Sequence, residues 1–574
     1  MANEVDQSRQ YYFGVKKVLI FRKLASRTDL TLILAGIILV AWAKNWEGNA
    51  ITAITPKVFS IFNAVHLTSL LNMVLYILQT ALLPIYSKVS DMVGRTEAFT
   101  VAIFFYVISG IIMATAQSME TLVGGQVIYA FGISGVSVLG HVLIADMTSK
   151  VNRGLFQAFY DIPAIINIFV APLAGQALTQ SNQWRWAYAM IPFCVGAMSL
   201  PLLAGLFSVE RKMKKSGLLK EENSQVQKRS ILEKLRWFCN EIDLIGSLLM
   251  IGALCMILLP LVLAIPRWGG WASATTIGTL VAGVVTAGLL GIWEWKYAEK
   301  PLVPFGNWST LTPITGVLTC ATISTVTAMN WQYFLTYLMV SRKLDVLIAT
   351  YLEMGYHAAF LVSQVLAGYL MKRYKIYRPF VFVGILLYML GIGLMIPARL
   401  PSSSDGFVAI SQIIGGFGAG MVYVPILVAV QSSVPHNDLA IVTALVQIGG
   451  SIATSIGSTL AGATWNSMLP GQIAEHVPGQ YDYESIIGSV DVAISLPQEQ
   501  YDGVVAAYGY IQKILSIVSL CLAALAFCFF LGMRSFGLSD DDDQYIHAEE
   551  DEKLAIDDHE MNSTITNDNK VERA

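Results

Sequence analysis

The stretch S-K-V-S-D-M-V-G-R-T-E, residues 87–97, lies between two long apolar segments, 66–86 and 98–116. Neither its charges nor its open backbone can rest in hydrocarbon, so it marks a membrane face and makes its flanks spanning helices. Asp91, Gly94 and Arg95 give it a shape: a carboxylate, a residue free to take positive φ, and a fork-shaped cation. Such a loop can clip neighbouring helix ends by charge-assisted hydrogen bonds in one conformation and release them in another. An ordinary polar turn is the plainer reading, and the rest of the chain decides between the two.

The chain has 574 residues, of which 55% are hydrophobic and 13% charged. Soluble proteins carry about 25% charged residues. The composition describes an all-α membrane protein whose partner is the lipid bilayer, not a nucleic-acid binder. A bilayer core about 30 Å thick needs about 20 apolar residues in a helix. Fourteen runs satisfy that: 30–47, 66–86, 97–116, 121–147, 155–178, 185–208, 242–265, 274–296, 310–340, 345–371, 379–397, 407–432, 437–465 and 505–532. With the N-terminus inside, the cytoplasmic segments hold about 29 of the 37 Lys and Arg, counting Lys296 at the inner end of its run, with nine in 209–241, and the outer loop 466–504 has none. This is the positive-inside asymmetry, and an odd number of spans would scramble it.

The expected layout is a cytoplasmic tail at 1–29, a six-helix bundle at 30–208 and a charged linker at 209–241. An inserted helix pair follows at 242–296, then a second six-helix bundle at 297–535 carrying the outer loop 466–504. An acidic cytoplasmic tail closes the chain at 536–574, with D-D-D-D at 540–543. Residues 1–29 lack a signal-peptide pattern. Six cysteines (194, 239, 255, 320, 521, 528) show no paired spacing, so buried thiols are expected rather than disulfides or metal ligands. There is no G-x-x-x-x-G-K-[ST], so no ATP site and no cofactor is expected. The chain reads as a carrier driven by an ion gradient, a monomer and not an enzyme.

Ionisable groups inside spans are costly and default to functional candidates. Lys44 and Glu47 lie three apart near the end of the first run, where they can pair; snorkelling to the interface competes with substrate contact. His141 and Asp146 follow in the fourth run, His141 expected to be buried, and Asp146 and Arg153 bracket the next cytoplasmic turn. Asp161 sits beside Pro163, where bonding to freed backbone competes evenly with proton coupling. Glu353 and His357, four apart on one face, can share a proton or pair structurally; two ligands make no convincing metal site. Trp46, Asn330, Trp331, Tyr333 and Tyr423 are the candidate substrate residues, and Glu47, Asp161 and Glu353 the candidate proton carriers. Glycines 415, 416, 418 and 420 with Pro425 suit close helix contact and a kink.

Several stretches together carry a resemblance: I-Y-S-K-V-S-D-M-V-G-R-T-E-A-F (85–99), I-A-D-M-T-S-K-V-N-R-G-L-F (144–156), Q-W-R-W-A-Y (183–188), E-I-D-L-I-G-S-L-L-M (241–250), W-E-W-K (293–296) and G-M-V-Y-V-P with N-D-L-A-I-V-T-A-L and G-A-T-W-N (420–466). The chain resembles the fungal siderophore-iron transporters, a fourteen-span branch of the major facilitator superfamily, over about residues 28–535. The resemblance implies a major facilitator fold arranged 6 + 2 + 6, with the first quoted stretch as the loop between helices 2 and 3. It makes Asp91, Gly94, Arg95, Asp146 and Arg153 a gating set at the inner face. It implies proton-coupled uptake of ferric siderophores across the plasma membrane, with an endosomal or vacuolar membrane also open. Related members instead exchange glutathione for protons or import haem. The first span departs from the family: W-A-K-N-W-E stands where many members have a Tyr-Gly-Leu-Asp-like start.

Overall fold

The computed structural model describes residues 24–147, 150–216, 240, 243–265, 268–297, 311–433 and 439–535. Helix α1 is Arg27–Ile61, opened by a capping box between Ser26 and Asp29. It continues through α2 (Thr68–Met92), α3 (Arg95–Ala114), α4 (Met119–Met147), α5 (Lys150–Gln180) and α6 (Arg185–Ser216). Two further helices, α7 (Leu244–Leu263) and α8 (Ala274–Lys296), lead to α9 (Thr312–Arg342). Then come α10 (Val346–Tyr374), α11 (Arg378–Ala398), α12 (Asp405–Ser432) and α13 (Leu439–His476). Two short helices, α14 (Tyr483–Gly488) and α15 (Val490–Ser495), precede α16 (Gln498–Leu531). Among the described residues, twelve helices are long and apolar enough to cross a membrane. Helices α5 and α13, of 31 and 38 residues, stand beside them.

The packing divides into two bundles. In the first, α1 lies against α5 and α6, and α4 against α2 and α3; in the second, α12 lies against α10 and α11, and α9 against α13 and α16. The bundles meet along two seams, α2 with α13 and α5 with α10. Helix α7 touches both α2 and α13, where Met73, Ile77, Leu258 and Val262 form an apolar cluster and Asn466 donates to the Val262 carbonyl. The α7–α8 pair therefore docks on a seam. Gly94 takes φ 135°, a conformation that a side chain resists, and begins α3 directly after α2. Arg95 there donates to Ser90 Oγ at 2.6 Å. The side chains of Asp91, Asp146, Arg153 and Asp161 lie outside the described residues.

Three boundaries differ from the sequence expectation, each for a physical reason. The first span does not end at 47: α1 runs on to Ile61 through Lys44, Glu47 and Pro56, because both charges find partners inside the bundle. The sixth helix continues into the expected linker as far as Ser216, where Lys212 pairs with Asp29 and Lys214 with Glu210. The outer loop expected at 466–504 shrinks to 477–497, since α13 extends to His476 and α16 starts at Gln498. That segment is not a solvated acidic loop. Ile486, Ile487, Val490 and Ala493 are buried, Val490 N donates to Ser60 Oγ at 2.8 Å, and Asp491 pairs with Lys57. A segment belonging to the second bundle is thus seated on the end of α1, and we call it the cap.

Candidate functional site

A cavity of about 780 Å³ lies between the bundles. Its first-bundle wall comes from α1 (Asn45, Asn49, Thr52), α2 (Asn72, Tyr76), α4 (Gln126, Tyr129) and α6 (Tyr188). Its second-bundle wall comes from α9 (Thr327, Trp331, Gln332), α10 (Glu353, Tyr356, His357) and α12 (Tyr423). Amides, hydroxyls and aromatic rings predominate, and no Lys or Arg is among the described lining residues. Small-molecule sites generally run to about 300–1,000 Å³, so this one holds a sizeable ligand.

The second-bundle wall is shaped by a break in α9. The helix stops at Trp331 and resumes at Phe334. Trp331 lies on Tyr356, ring centroids 4.2 Å apart, and its Nε1 has no hydrogen-bond partner within the chain. Gln332 Oε1 accepts from Asn72 of the first bundle at 3.3 Å. Tyr333 turns away: it stacks on Trp465 at 4.4 Å and donates to Ser69 Oγ at 3.0 Å, across the α2–α13 seam. Glu353 is 8% exposed, and its Oε2 has no hydrogen-bond partner among the described residues. His357 presents its ring to the same cavity, but no hydrogen bond joins the two. The expectation of a shared proton or structural pair between them is not met in this conformation.

Behind the first-bundle wall lies the second carboxylate. Glu47 is 0% exposed. Its Oε1 accepts from the hydroxyls of Tyr106 on α3 and, at 2.8 Å, Tyr129 on α4, while its Oε2 is without a partner. The two tyrosines meet edge to face at 5.3 Å. Tyr106 sits midway along α3, which puts Glu47 well inside the bundle rather than at the interface expected for it. Lys44 does not pair with Glu47; it donates to Ser137 Oγ at 3.3 Å and lies 5.5 Å from the Tyr160 ring centre.

Of the five candidate substrate residues, Trp331 and Tyr423 line the cavity. Trp46 lies beside Trp42, centroids 5.8 Å apart, and is not in the wall. Asn330 is buried against Met395 and Ser516, and Tyr333 serves the seam. On a broken helix, adjacent side chains leave in different directions, so the four consecutive residues Asn330–Tyr333 cannot all face one ligand. His141, expected to be buried, is exposed with its ring 4.6 Å from that of Tyr160. The glycines of α12 do pack closely, but within their own bundle: Gly416 against the Tyr356 carbonyl and Gly418 against Tyr388. Tyr106, Tyr129, Gln126 and Gln332 were not singled out as one site by sequence, since lone tyrosines in apolar helices carry no pattern.

The comparisons with known proteins agree with this architecture. The Major Facilitator Superfamily profile matches residues 31–458. Siderophore iron transporter mirC of Emericella nidulans is 29% identical over 489 residues, covering 84% of this chain and 80% of its own length. MFS siderochrome iron transporter B of Aspergillus fumigatus is 30% identical, covering 85% and 80%. Siderophore iron transporter 1 of Schizosaccharomyces pombe is 27% identical, covering 88% and 82%. Among solved structures, a bacterial homologue of the human lysosomal transporter Spinster, inward-facing and occupied, superposes with a TM-score of 0.58 at 14% identity, covering 88% of this chain and 97% of its own. A peptide transporter of the POT type, in complex with sulfate, superposes with a TM-score of 0.51 at 14% identity, covering 87% and 95%. Two helical bundles around a central cavity, a profile match over most of the chain and these relatives together make it a multi-pass membrane carrier of the major facilitator superfamily, belonging to the fungal siderophore-iron transporter family.

Proposed function

We propose that this protein imports ferric siderophores in symport with protons, by alternating access of the cavity between the two bundles. The observation that carries the substrate class is the cavity wall: large, rich in amides, hydroxyls and aromatic rings, with Glu353 and without a fixed cation among its described lining residues. Such a wall favours a bulky, hydrogen-bonding chelate of zero or positive net charge over a polyanionic one, which would meet a carboxylate and no counter-charge. The names of the relatives point the same way.

In this reading α5 and α13 join the twelve apolar helices to give fourteen spans, grouped 6 + 2 + 6 around the seam-docked α7–α8 pair, with both chain ends inside. The domains of this reading follow the sequence boundaries, adjusted at the first span, the linker and the outer loop. The cap faces outward. Trp331, Gln332, Tyr356 and Tyr423 contact the chelate. Glu47 and Glu353 carry the coupling proton or sense it, with Asp161 a third carboxylate on α5. Asp91, Gly94, Arg95, Asp146 and Arg153 make and break contacts at the inner face as the bundles rock. The protein works as a monomer in the plasma membrane.

The test is uptake of radiolabelled iron, supplied as neutral and as anionic ferric chelates, in iron-starved fungal cells lacking their own carriers. Saturable uptake of neutral chelates, abolished by a protonophore, is the expected result. Uptake that survives the protonophore removes the proton coupling. No uptake with the protein confirmed at the cell surface removes the substrate class and directs attention to glutathione exchange or haem import.

A further inference from the structure

We propose that Tyr129 is a positioning residue that ties protonation of Glu47 to substrate binding: its hydroxyl serves either the Glu47 carboxylate or an acceptor atom of the substrate, and the proton on Glu47 decides which. The proposal rests on the proton-symport reading above and extends it to a residue and a physical switch.

The geometry is specific. Tyr129 lines the cavity and also donates to Glu47 Oε1 at 2.8 Å. Tyr106 donates to the same oxygen but is fully buried and lines nothing. Tyr129 therefore touches both the carboxylate and the space the substrate enters. A phenolic hydroxyl has one hydrogen to give, so it cannot serve both at once. A bond to a charged carboxylate is about twice as strong as one between neutral groups. While Glu47 is ionised, the hydroxyl is held on Oε1 and denied to the cavity. When a proton from outside settles on Oε2, the oxygen without a partner, the charge that held Tyr129 disappears. Tyr106 still satisfies Oε1, and Tyr129 is free to turn to the substrate. No other bond forms or breaks, and the proton leaves Glu47 on the inner side after the substrate departs.

The groups around Glu47 permit this. Lys44, on the same helix, is committed to Ser137 and the Tyr160 ring. Tyr188 of α6 and Tyr76 of α2 line the same cavity. Asn167 of α5, which does not titrate, donates to the Trp42 carbonyl at 2.9 Å, while the side chain of Asp161 on that helix is outside the described residues. Glu353 and His357 of α10 line the same cavity from the opposite bundle. The sign follows: a protonated Glu47 releases Tyr129, so substrate affinity rises as external pH falls.

Two measurements on the full chain test the proposal. In the first, which needs no substrate, the purified transporter is treated with a hydrophobic carbodiimide, which modifies protonated buried carboxyls, and Glu47 labelling is followed by mass spectrometry across pH. Tyr129→Phe and Tyr106→Phe each remove a donor that favours the anion, so each is expected to raise labelling several-fold near neutrality. In the second, KM for a ferric chelate is measured against external pH in sealed vesicles. The wild-type KM is expected to fall with pH. Tyr106→Phe should keep that slope, displaced along the pH axis, whereas Tyr129→Phe should have a raised KM that no longer depends on pH. A wild-type slope in Tyr129→Phe, or a labelling curve for that variant identical to wild type, overturns the proposal. Failure of every ferric chelate to move defeats the substrate reading alone, and the labelling curves still judge Tyr129.

Discussion

Glu47 and Glu353 are the same residue type, one on each bundle and both close to the cavity, yet they are kept in opposite ways. Glu47 is enclosed completely, with two tyrosine hydroxyls on one oxygen. Glu353 sits in the cavity wall, and no hydrogen bond from the described residues reaches its Oε2. An enclosed carboxylate with built-in donors is part of the fold, and changing its charge disturbs its neighbours first. A carboxylate left without donors adds little to the fold and keeps its bonding capacity for whatever enters. Burial of both is costly, but only the first carries its own compensation.

The largest expected effect breaks this comparison on stability. Glu47→Ala leaves the buried hydroxyl of Tyr106 without its acceptor, at about 1–3 kcal/mol, and takes from Tyr129 the acceptor it uses from the cavity wall. The purified variant should melt well below wild type, while Glu353→Ala should melt at or above it; equal losses in a thermal-shift assay would erase the distinction. Next, Glu353→Gln removes a charge that faces the ligand while keeping its size. Hydrogen bonds to charged groups contribute roughly 1.5–3 kcal/mol, so KM should rise about tenfold or more with maximal rate nearly kept. A KM within twofold of wild type would make Glu353 a bystander.

A smaller effect concerns the ring beside it. Trp331→Phe keeps the ring contact with Tyr356 and deletes the unpartnered Nε1–H. Loss of one neutral hydrogen bond to the substrate should raise KM about three- to tenfold. The same change combined with Glu353→Gln shows whether both touch one ligand, since independent sites would give additive free energies. The smallest effect is at the cap. Lys57 pairs with an exposed Asp491, and pairs of that kind contribute about 0–1 kcal/mol. Lys57→Ala should change transport by less than about fivefold, and less again at high salt.

Much of the scaffold could be read from the chain. Apolar runs of membrane length, the distribution of Lys and Arg, and the turn around Asp91, Gly94 and Arg95 pointed to a polytopic carrier. Glu47, Glu353, Trp331 and Tyr423 were recognisable because polar groups in apolar runs are conspicuous. Their partners were not. Tyr106 and Tyr129 lie 59 and 82 residues from Glu47 and look like ordinary helix tyrosines until α3 and α4 fold beside α1. The break at Gln332–Tyr333 has neither Pro nor Gly to announce it. The length of α1 was hidden by its own charges: Lys44 and Glu47 read as an interface because their partners come from other helices. The cap was hidden likewise, since the buried residues of 477–497 are few and face α1, which lies more than 400 residues earlier in the chain.

The cap has a consequence for the speed of uptake. It is held to the end of α1 by buried side chains and two bonds, and in the proposed orientation it faces outward. In that orientation a chelate arriving from outside meets the cap first. The frequency with which the cap lifts, rather than diffusion, then limits how often an encounter becomes a capture. Raising the chelate concentration fills the open intervals but cannot lengthen them.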